Sequence, residues 1–374
     1  MKETSQFALP LFALVFLLLV TTLLYRARPE PEHVTLGIIA PVSGDFAAYG
    51  SEIERGVALA LDTLGEQGVT ARVHIEDACL AKDGVNAARR LVEVEKVAAV
   101  VGNYCIASMV PNAEFFERTE TPVFQSSVVP EVLLEGNRFF FSTFPSIRSE
   151  AEALAVHARE TLHAETAAVL FLTTPWGESF QQTFAEAFEA RGGRIVGKEQ
   201  NAIGENDFRS ELTRIREAEP DALLIVHLGD TLAAALKQVR ALSIESALLS
   251  VDEAEEPQLL AAAGSAAEGV SIFTPHIEAT TTAAQEFRVK YVNRFQQEPG
   301  ILSAHSYDAT MLTVKAAEAC GSEGHCMADF IRKQDGYEGA SGTLRFRTDG
   351  TTERTLMLKR VRNGRFAAVP APQR

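Results

Sequence analysis

Apolar and polar residues alternate along the chain in two successive strand–helix series. Short apolar runs such as Val34–Ala40 and Ala98–Val101 are typical of strands buried on both faces. Stretches with apolar residues every three or four positions, such as Glu52–Leu64, follow such runs and predict amphipathic helices. Repeated strand–helix units require mostly parallel sheets covered by helices, so the pattern predicts an α/β protein.

The second series starts after Arg148 and predicts a second parallel-sheet domain. Its predicted strands are Ala167–Leu172, Arg194–Glu199, Ala222–Val226, Ala247–Val251 and Val270–Thr274. Helices predicted at Thr282–Gln297 and His305–Ala319 then interrupt the alternation, and the simplest packing returns them to the first domain. At the end of the chain we expect two strands, Gly342–Arg347 and Thr355–Arg362, joined by a β-turn at residues 348–350.

The ends of the predicted strands in the first series carry the candidate binding chemistry. The loops Asn103–Ser108 and Gln125–Val128 both follow strands of one strand–helix–strand unit. Such a short unit forces its strands parallel, so both loops open at the same carboxyl edge of one sheet. That edge is where open α/β sheets bind ligands. Cys105 lies in the first loop and Cys79 follows the preceding strand, which allows the two thiols to approach within bridging distance.

Charge and cysteine content narrow the functional class. A net charge of −15 over 374 residues argues against a nucleic-acid partner, because no basic stripe exists to neutralise phosphates. The four cysteines form two close groups, Cys79 with Cys105 and Cys320 with Cys326. Two disulfides in an oxidising compartment and four buried free thiols are both compatible with this count. The Cys320–Cys326 segment also contains His325, but a metal site there lacks a fourth ligand, so we predict no metal.

The N-terminus predicts a membrane tether. Phe7–Tyr25 is apolar over about the length needed to span a bilayer, and Arg26 and Arg28 follow it. We predict an uncleaved anchor and linker over residues 1–32, with a cleaved signal as the alternative. The arginines after the span disfavour export of the remainder, whereas the paired cysteines favour it. We expect an extracytoplasmic, periplasmic location.

Several segments together resemble the Leu/Ile/Val-binding family of type I periplasmic binding proteins, which serve branched-chain amino-acid ABC transporters. These segments read VTLGIIAPVSGDFAAYG, IEDACLAKDGVNAARRLV, VVGNYCIASMVP and, near the end, EGASGTLRFRTDGTTERTLMLKRVRNGRF. The resemblance implies two Rossmann-like parallel-sheet lobes joined by three crossovers. It places residues 33–147 and 276–337 in lobe 1 and residues 148–275 and 338–374 in lobe 2. It also implies the Cys79–Cys105 and Cys320–Cys326 disulfides.

The resemblance further implies a ligand site between the lobes. The positions that match it are Tyr49, Ile106, Ala107, Ser108, Ser126, Ser127, Val128, Trp176 and Asp252. In the family, the loops of lobe 1 hold an amino-acid carboxylate through hydroxyl and backbone N–H groups, but Ile106 and Val128 here replace a usual serine and threonine. Each remaining serine could instead be a turn or cap residue.

Three further positions complete the expected site. Tyr49 and Trp176, the latter in the predicted loop Thr173–Gly177, are expected to sandwich the ligand. Asp252 matches the family's acidic partner for an ammonium group, with a solvated acidic loop as the alternative.

No catalytic motif is present in the sequence. The chain has no G-x-S-x-G elbow, P-loop, H-E-x-x-H or G-x-G-x-x-G segment, so we predict no enzyme activity and no cofactor. We expect a solute-binding protein that captures a small amino-acid-like or more apolar solute and delivers it to an ABC transporter permease. The alternative is a membrane-tethered receptor subunit of the same fold that reports ligand binding to a signalling partner.

Overall fold

A computed structural model describes residues 33–102, 104–130, 133–134, 136–255, 257–275 and 281–369. The predicted anchor over residues 7–25 and its linker lie outside these ranges. Within them, every helix is too short or too polar to cross a membrane.

The first lobe contains a sheet of five parallel strands in the order β2-β1-β3-β4-β5. Its strands are β1 Val34–Ala40, β2 Ala71–Asp77, β3 Ala99–Gly102, β4 Val123–Gln125 and β5 Phe140–Ser142. All residues of β3, β4 and β5 are buried, because helices cover both faces of the sheet. The sequence analysis missed β5, since three residues are too few to give a recognisable strand pattern.

The helices of the first lobe come from two separate parts of the chain. They are Ala47–Glu66, Ala81–Arg89, Ile106–Met109 and Ala113–Arg118, and later Thr282–Phe295, Ile301–Cys320 and Gly324–Arg332. Helices Ala47–Glu66 and Ile301–Cys320 pack extensively against each other. Gly56 permits this approach, because a Cβ atom there would lie 2.2 Å from the carbonyl oxygen of Ser303.

The second lobe is built on a seven-stranded sheet in the order β14-β13-β10-β9-β8-β6-β7. Its strands are β6 Thr166–Leu172, β7 Arg194–Asn201, β8 Ala222–Val226, β9 Ala247–Ser250, β10 Ser271–Pro275, β13 Leu356–Arg362 and β14 Arg365–Ala368. The pairs among β6 to β10 are parallel, whereas β13 and β14 join antiparallel. Its helices are Ile147–Val156, Pro175–Glu189, Arg209–Glu217, Gly229–Ala241 and Pro257–Ala263.

The end of the chain differs from the prediction. Strand β12 (Gly342–Arg345) pairs with β11 (Asp335–Gly339) in a separate two-stranded sheet, so the turn at residues 348–350 does not join two strands of one sheet. The C-terminal hairpin is formed by β13 and β14 instead. Its turn consists of Asn363 and Gly364, with φ values of 54° and 72° that these two residues adopt most easily. An Asn-Gly pair is a strong hairpin signal, and the sequence analysis overlooked it.

Three passages of the chain connect the lobes. The first follows β5, the second follows β10, and the third lies between β12 and β13. The β11–β12 hairpin is fixed to helix Ile301–Cys320, because Asp308 accepts hydrogen bonds from the N–H groups of Ala340 and Ser341, both at 2.7 Å. The third passage therefore lies after Arg345, later than the lobe boundary at residue 338 that the resemblance implied.

Candidate functional site

A cavity of about 390 Å³ lies between the two lobes, and we call it the interlobe cavity. Lobe 1 lines it with residues that follow β1 to β4, including Phe46, Cys79, Tyr104, Cys105, Ile106, Ala107, Ser127 and Val128. Lobe 2 lines it with residues at or after the ends of β6 to β9, including Leu172, Thr174, Pro175, Trp176, Ile203, Leu228 and Glu253. The cavity thus lies at the carboxyl edges of both sheets, where α/β sheets bind ligands.

The Cys79–Cys105 disulfide holds two loops of this cavity together. It joins the loops after β2 and β3, with a Cα–Cα distance of 5.0 Å. The helices that follow these loops are also in close contact, because a Cβ atom at Gly84 would lie 2.2 Å from the carbonyl oxygen of Ser108. These contacts fix the lobe 1 wall of the cavity before any ligand enters.

The second disulfide, Cys320–Cys326, joins two helices of lobe 1 and does not line the interlobe cavity. Its cysteines are bonded to each other, so they do not form the metal loop considered from the sequence. Within the described parts of the chain, no group of three or more His, Cys, Asp or Glu side chains could hold a metal ion.

Trp176 forms part of the lobe 2 wall, but it lies on a helix rather than in a loop. Helix Pro175–Glu189 begins earlier than predicted, because Thr174 caps it by accepting a hydrogen bond from the N–H of Gly177 at 3.1 Å and Pro175 occupies its first turn. Trp176 is 8% exposed, and its Nε1–H donates to no group of the described residues. A buried unsatisfied donor costs about 1–3 kcal/mol, a cost that a ligand acceptor would remove.

Tyr49 does not line the interlobe cavity. It lies inside helix Ala47–Glu66, is 3% exposed, and stacks on the ring of Tyr104 with 4.6 Å between centroids. Two aromatic residues of lobe 1, Phe46 and Tyr104, are among the described residues that line the cavity. Neither was predicted as a site residue from the sequence, although Tyr104 could have been found. Its position beside Cys105 at the end of β3 was the available signal. Tyr49 instead lines a neighbouring cavity of about 380 Å³ together with Gly229 and Asp230.

The serines of the lobe 1 loops bond mainly within the loops. The Ser108 hydroxyl donates to the carbonyl of Cys105 at 2.7 Å. The Ser127 hydroxyl donates to the carbonyl of Tyr104 at 3.1 Å and accepts from Gln125 Nε2 at 3.1 Å. Ser126 is fully buried and its hydroxyl has no partner among the described residues. Of these three serines only Ser127 lines the interlobe cavity.

Asp252 lies in a second cavity of about 690 Å³, which we call the adjoining cavity because it shares Ser127 and Glu253 with the interlobe cavity. Asp252 is 2% exposed, so the alternative of a solvated residue does not describe it. Its backbone N–H donates to Glu150 Oε1 at 3.0 Å.

Burial raises the pKa values of the Asp252 and Glu150 carboxyl groups well above their ordinary range. The neighbouring carboxylates of Glu253 and Glu255 add to the shift in the pKa of Asp252, and Asp252 adds to that of Glu150. The sequence analysis missed Glu150, which lies in helix Ile147–Val156, far from Asp252 along the chain.

Comparison with known proteins agrees with this architecture. The family model described as "Periplasmic binding protein" matches residues 33–365. The leucine-, isoleucine-, valine-, threonine- and alanine-binding protein of Pseudomonas aeruginosa is 21% identical over 326 residues, which cover 85% of this chain and 87% of that protein. A Leu/Ile/Val-binding protein homologue of Brucella melitensis is 23% identical over 328 residues, covering 85% of this chain and 88% of that protein.

Solved structures show the same fold. A leucine-binding protein of Thermotoga maritima superposes with a TM-score of 0.84 at 25% identity, covering 90% of this chain and 98% of that one. A solute-binding protein of an ABC transporter from Rhodopseudomonas palustris, in complex with benzoate, superposes with a TM-score of 0.82 at 17% identity, covering 90% of this chain and 95% of that one.

Proposed function

The chain belongs to the periplasmic binding protein family, and on this premise we propose that it captures a small solute in the interlobe cavity for an ABC-type uptake system. The observation that supports this role is the position of the cavity, whose walls come from the carboxyl edges of two separate sheets. Two lobes connected by hinge segments can close over a solute held in such a place. The relatives are named as binding proteins for amino acids, which favours uptake over the signalling-receptor alternative.

The family and the two disulfides support an extracytoplasmic location. We further propose that the apolar segment Phe7–Tyr25 tethers the binding domain to the membrane, which would keep it near a permease. Carbonate extraction of membranes tests the tether: an anchored protein remains in the membrane pellet at full length. Release of a protein shortened at its N-terminus would favour the cleaved signal instead.

The proposed ligand contacts are Ile106, Ala107, Ser127, Val128 and Trp176, with Asp252 in the adjoining cavity. Tyr49, Ser108 and Ser126, the other predicted site residues, are not among the residues that line the interlobe cavity. Ile106 and Val128 offer hydrocarbon where a carboxylate site needs hydroxyl donors. Two lost charge-assisted hydrogen bonds, each worth about 1.5–3 kcal/mol, correspond to a hundredfold or greater loss of affinity. We therefore expect leucine, isoleucine and valine to bind weakly or not at all.

The only tryptophan of the chain provides a direct assay, since Trp176 lines the cavity and its emission depends on ligand contact. A thermal-shift screen of amino acids, amides and small organic acids identifies ligands, and Trp176 fluorescence then gives their dissociation constants. Small-angle scattering at saturation should show a more compact particle. A sub-micromolar dissociation constant for leucine would refute the expectation of weak binding. An unchanged particle with every ligand would count against closure of the lobes.

A further inference from the structure

The walls of the interlobe cavity carry negative charge without matching positive charge. Its described lining contains the carboxylates of Asp45, Asp77, Asp83 and Glu253, and no Lys, Arg or His side chain. Asp45, Asp77 and Asp83 are exposed and lie on the lobe 1 side of the cavity. Their field, together with a net charge of −15, opposes the entry of an anion and favours that of a cation.

The adjoining cavity contains two cationic side chains among its described residues, and each is already paired. Lys359 Nζ contacts both oxygens of Glu255, at 2.5 and 2.7 Å. The guanidinium of Arg288 forms a bidentate pair with Glu298, in which Nε donates at 2.7 Å. Neither cation remains to neutralise Asp252.

Asp252 is therefore a buried carboxyl group without a cationic partner. It is 2% exposed, and among the described residues no Lys, Arg or His side chain pairs with either of its oxygens. The acidic groups around it, Glu150, Glu253 and Glu255, add no positive charge. The ionised form of a buried carboxyl group requires a counter-charge, which a positive group of a ligand would supply here.

The hydroxyl groups in the interlobe cavity offer little to an anionic ligand. The Ser43 hydroxyl donates to Asp77, and the Ser127 hydroxyl donates to the carbonyl of Tyr104. Thr174 Oγ1 accepts a hydrogen bond from Gly177 N–H as the helix cap, so it is the one hydroxyl of these three whose proton none of these bonds uses. The indole N–H of Trp176 is a neutral donor that can bind an acceptor on an uncharged part of a ligand.

From these walls we infer that the ligand is an apolar amine without a carboxylate. Its hydrocarbon or aryl body would lie between Ile106 and Trp176 in the interlobe cavity, and its ammonium group would face Asp252 and Glu253. This inference rests on the proposed function and names the chemical class of the solute. A protonated amine would supply the counter-charge that the ionised form of Asp252 requires, whereas a carboxylate would add to the negative charge of these walls.

Compounds that differ in one charged group test this directly. The probes are 3-methylbutylamine, leucine, 4-methylpentanoate and the neutral 3-methylbutanol, with 2-phenylethylamine, phenylalanine and 3-phenylpropanoate as an aromatic series. Trp176 fluorescence and thermal shift serve as readouts on the full-length protein. We expect each amine to bind at least tenfold more tightly than the amino acid, acid or alcohol of the same skeleton.

Two variants locate the ammonium site. Asp252→Asn should weaken amine binding about tenfold to a hundredfold, the effect of one charge-assisted hydrogen bond, while leaving the fluorescence of the free protein unchanged. Asp207→Asn, at an exposed aspartate of lobe 2 that lines neither cavity, is the matched control and should change affinity less than about threefold, because exposed charges contribute little. If Asp252→Asn does not fold, Glu253→Gln is the second variant that tests the ammonium site.

The outcomes separate this inference from the proposed function. Amino acids or acids that bind as tightly as the amines would overturn the inference and leave solute binding intact. Equal binding of 3-methylbutanol and 3-methylbutylamine would also overturn it, because the ammonium group would then go unrecognised. If no compound of any class in this panel or in the wider screen binds, both the inference and the proposed function fail.

Discussion

Asp308 fastens the β11–β12 hairpin to lobe 1 beside the third passage between the lobes. The carboxylate is fully buried and accepts hydrogen bonds from Ala340 N at 2.7 Å, Ser341 N at 2.7 Å and Ser341 Oγ at 2.6 Å. Burial raises its pKa to about 6, while the hydrogen bonds from Ser341 and Ala340 and the charge of Arg354 act in the opposite direction. The folded protein therefore favours the protonated form of this group more than the unfolded chain does.

The sign and size of the pH effect follow from this shift. Because the folded pKa lies above the ordinary value of 3.8, the folded state binds more protons, and the stabilisation is lost as the pH rises through about 6. The full shift corresponds to about 3 kcal/mol at acidic pH. Between pH 7 and pH 5, Asp308 should contribute a gain of about 1.3 kcal/mol to the free energy of unfolding.

Other buried groups also titrate, so the measurement compares two proteins. His157 and His227, whose pKa values burial lowers to about 4, reduce stability as the pH falls below 6.5. Urea unfolding at pH 7, 6 and 5 gives the free energy of unfolding of wild type and of Asp308→Asn. The contributions of the other titrating groups are the same in both proteins, so they cancel in the difference. Asn replaces one acceptor oxygen by a donor and should cost about 1–3 kcal/mol at neutral pH. The difference between the proteins should then widen by about 1.3 kcal/mol at pH 5.

A difference that stays constant from pH 7 to pH 5 would refute this reasoning. It would mean that Asp308 remains ionised over that range, and that its hydrogen bonds and the guanidinium of Arg354 outweigh the cost of burial. Arg354 lies close enough for this outcome to be informative, because its Nη2 donates to Ser341 Oγ at 2.7 Å.

Two further predictions concern stability. Replacing both cysteines of Cys79–Cys105 by Ala should lower the free energy of unfolding by about 3.5 kcal/mol, because the disulfide closes a loop with a sequence separation of 26. The same change at Cys320–Cys326, with a separation of 6, should lower it by about 2.2 kcal/mol. If urea unfolding shows the larger loss for Cys320–Cys326, the loop-entropy argument is contradicted. Gly56→Ala should destabilise by about 1–3 kcal/mol, because the new Cβ would lie 2.2 Å from a backbone oxygen. Gly65→Ala is the matched control, because Gly65 lies in the same helix with open space around it, and this change should stabilise the protein by about 0.5–1 kcal/mol. Equal melting temperatures for the two variants would disprove the close contact between Gly56 and the backbone oxygen of Ser303.

Local sequence patterns predicted most of the two sheets because buried parallel strands are continuous apolar runs. Strand β8 has the bounds that the sequence predicted, Ala222–Val226. Prediction failed where a strand is short or where its partner is distant. Strand β5 has three residues, and β12 pairs with β11 rather than with the strand that follows it. Pairing partners depend on tertiary packing, which an isolated segment does not encode.

In the candidate site, too, features set by local sequence were predicted, whereas contacts between residues distant in sequence were not. Ile106, Val128 and Trp176 line the interlobe cavity because each lies at the end of a strand or the start of a helix at the carboxyl edge of a sheet. Tyr49 does not, since its helix begins at Ala47 and turns the ring onto Tyr104. The contact of Glu150 with Asp252 joins residues of two different elements, and no periodicity predicts it.

The hydrogen bonds of the lobe 1 loops explain how selectivity can reside mainly in lobe 2. The Cys79–Cys105 disulfide and the bonds from Ser108 and Ser127 hold the lobe 1 wall in one shape, so little ordering remains to be lost when a ligand arrives there. On the described cavity walls, Trp176 Nε1 donates to no group and the carboxyl group of Asp252 has no cationic partner, and both belong to lobe 2. We expect stable closure to require polar groups that meet lobe 2, because a solute that matches only the apolar wall of lobe 1 would satisfy neither.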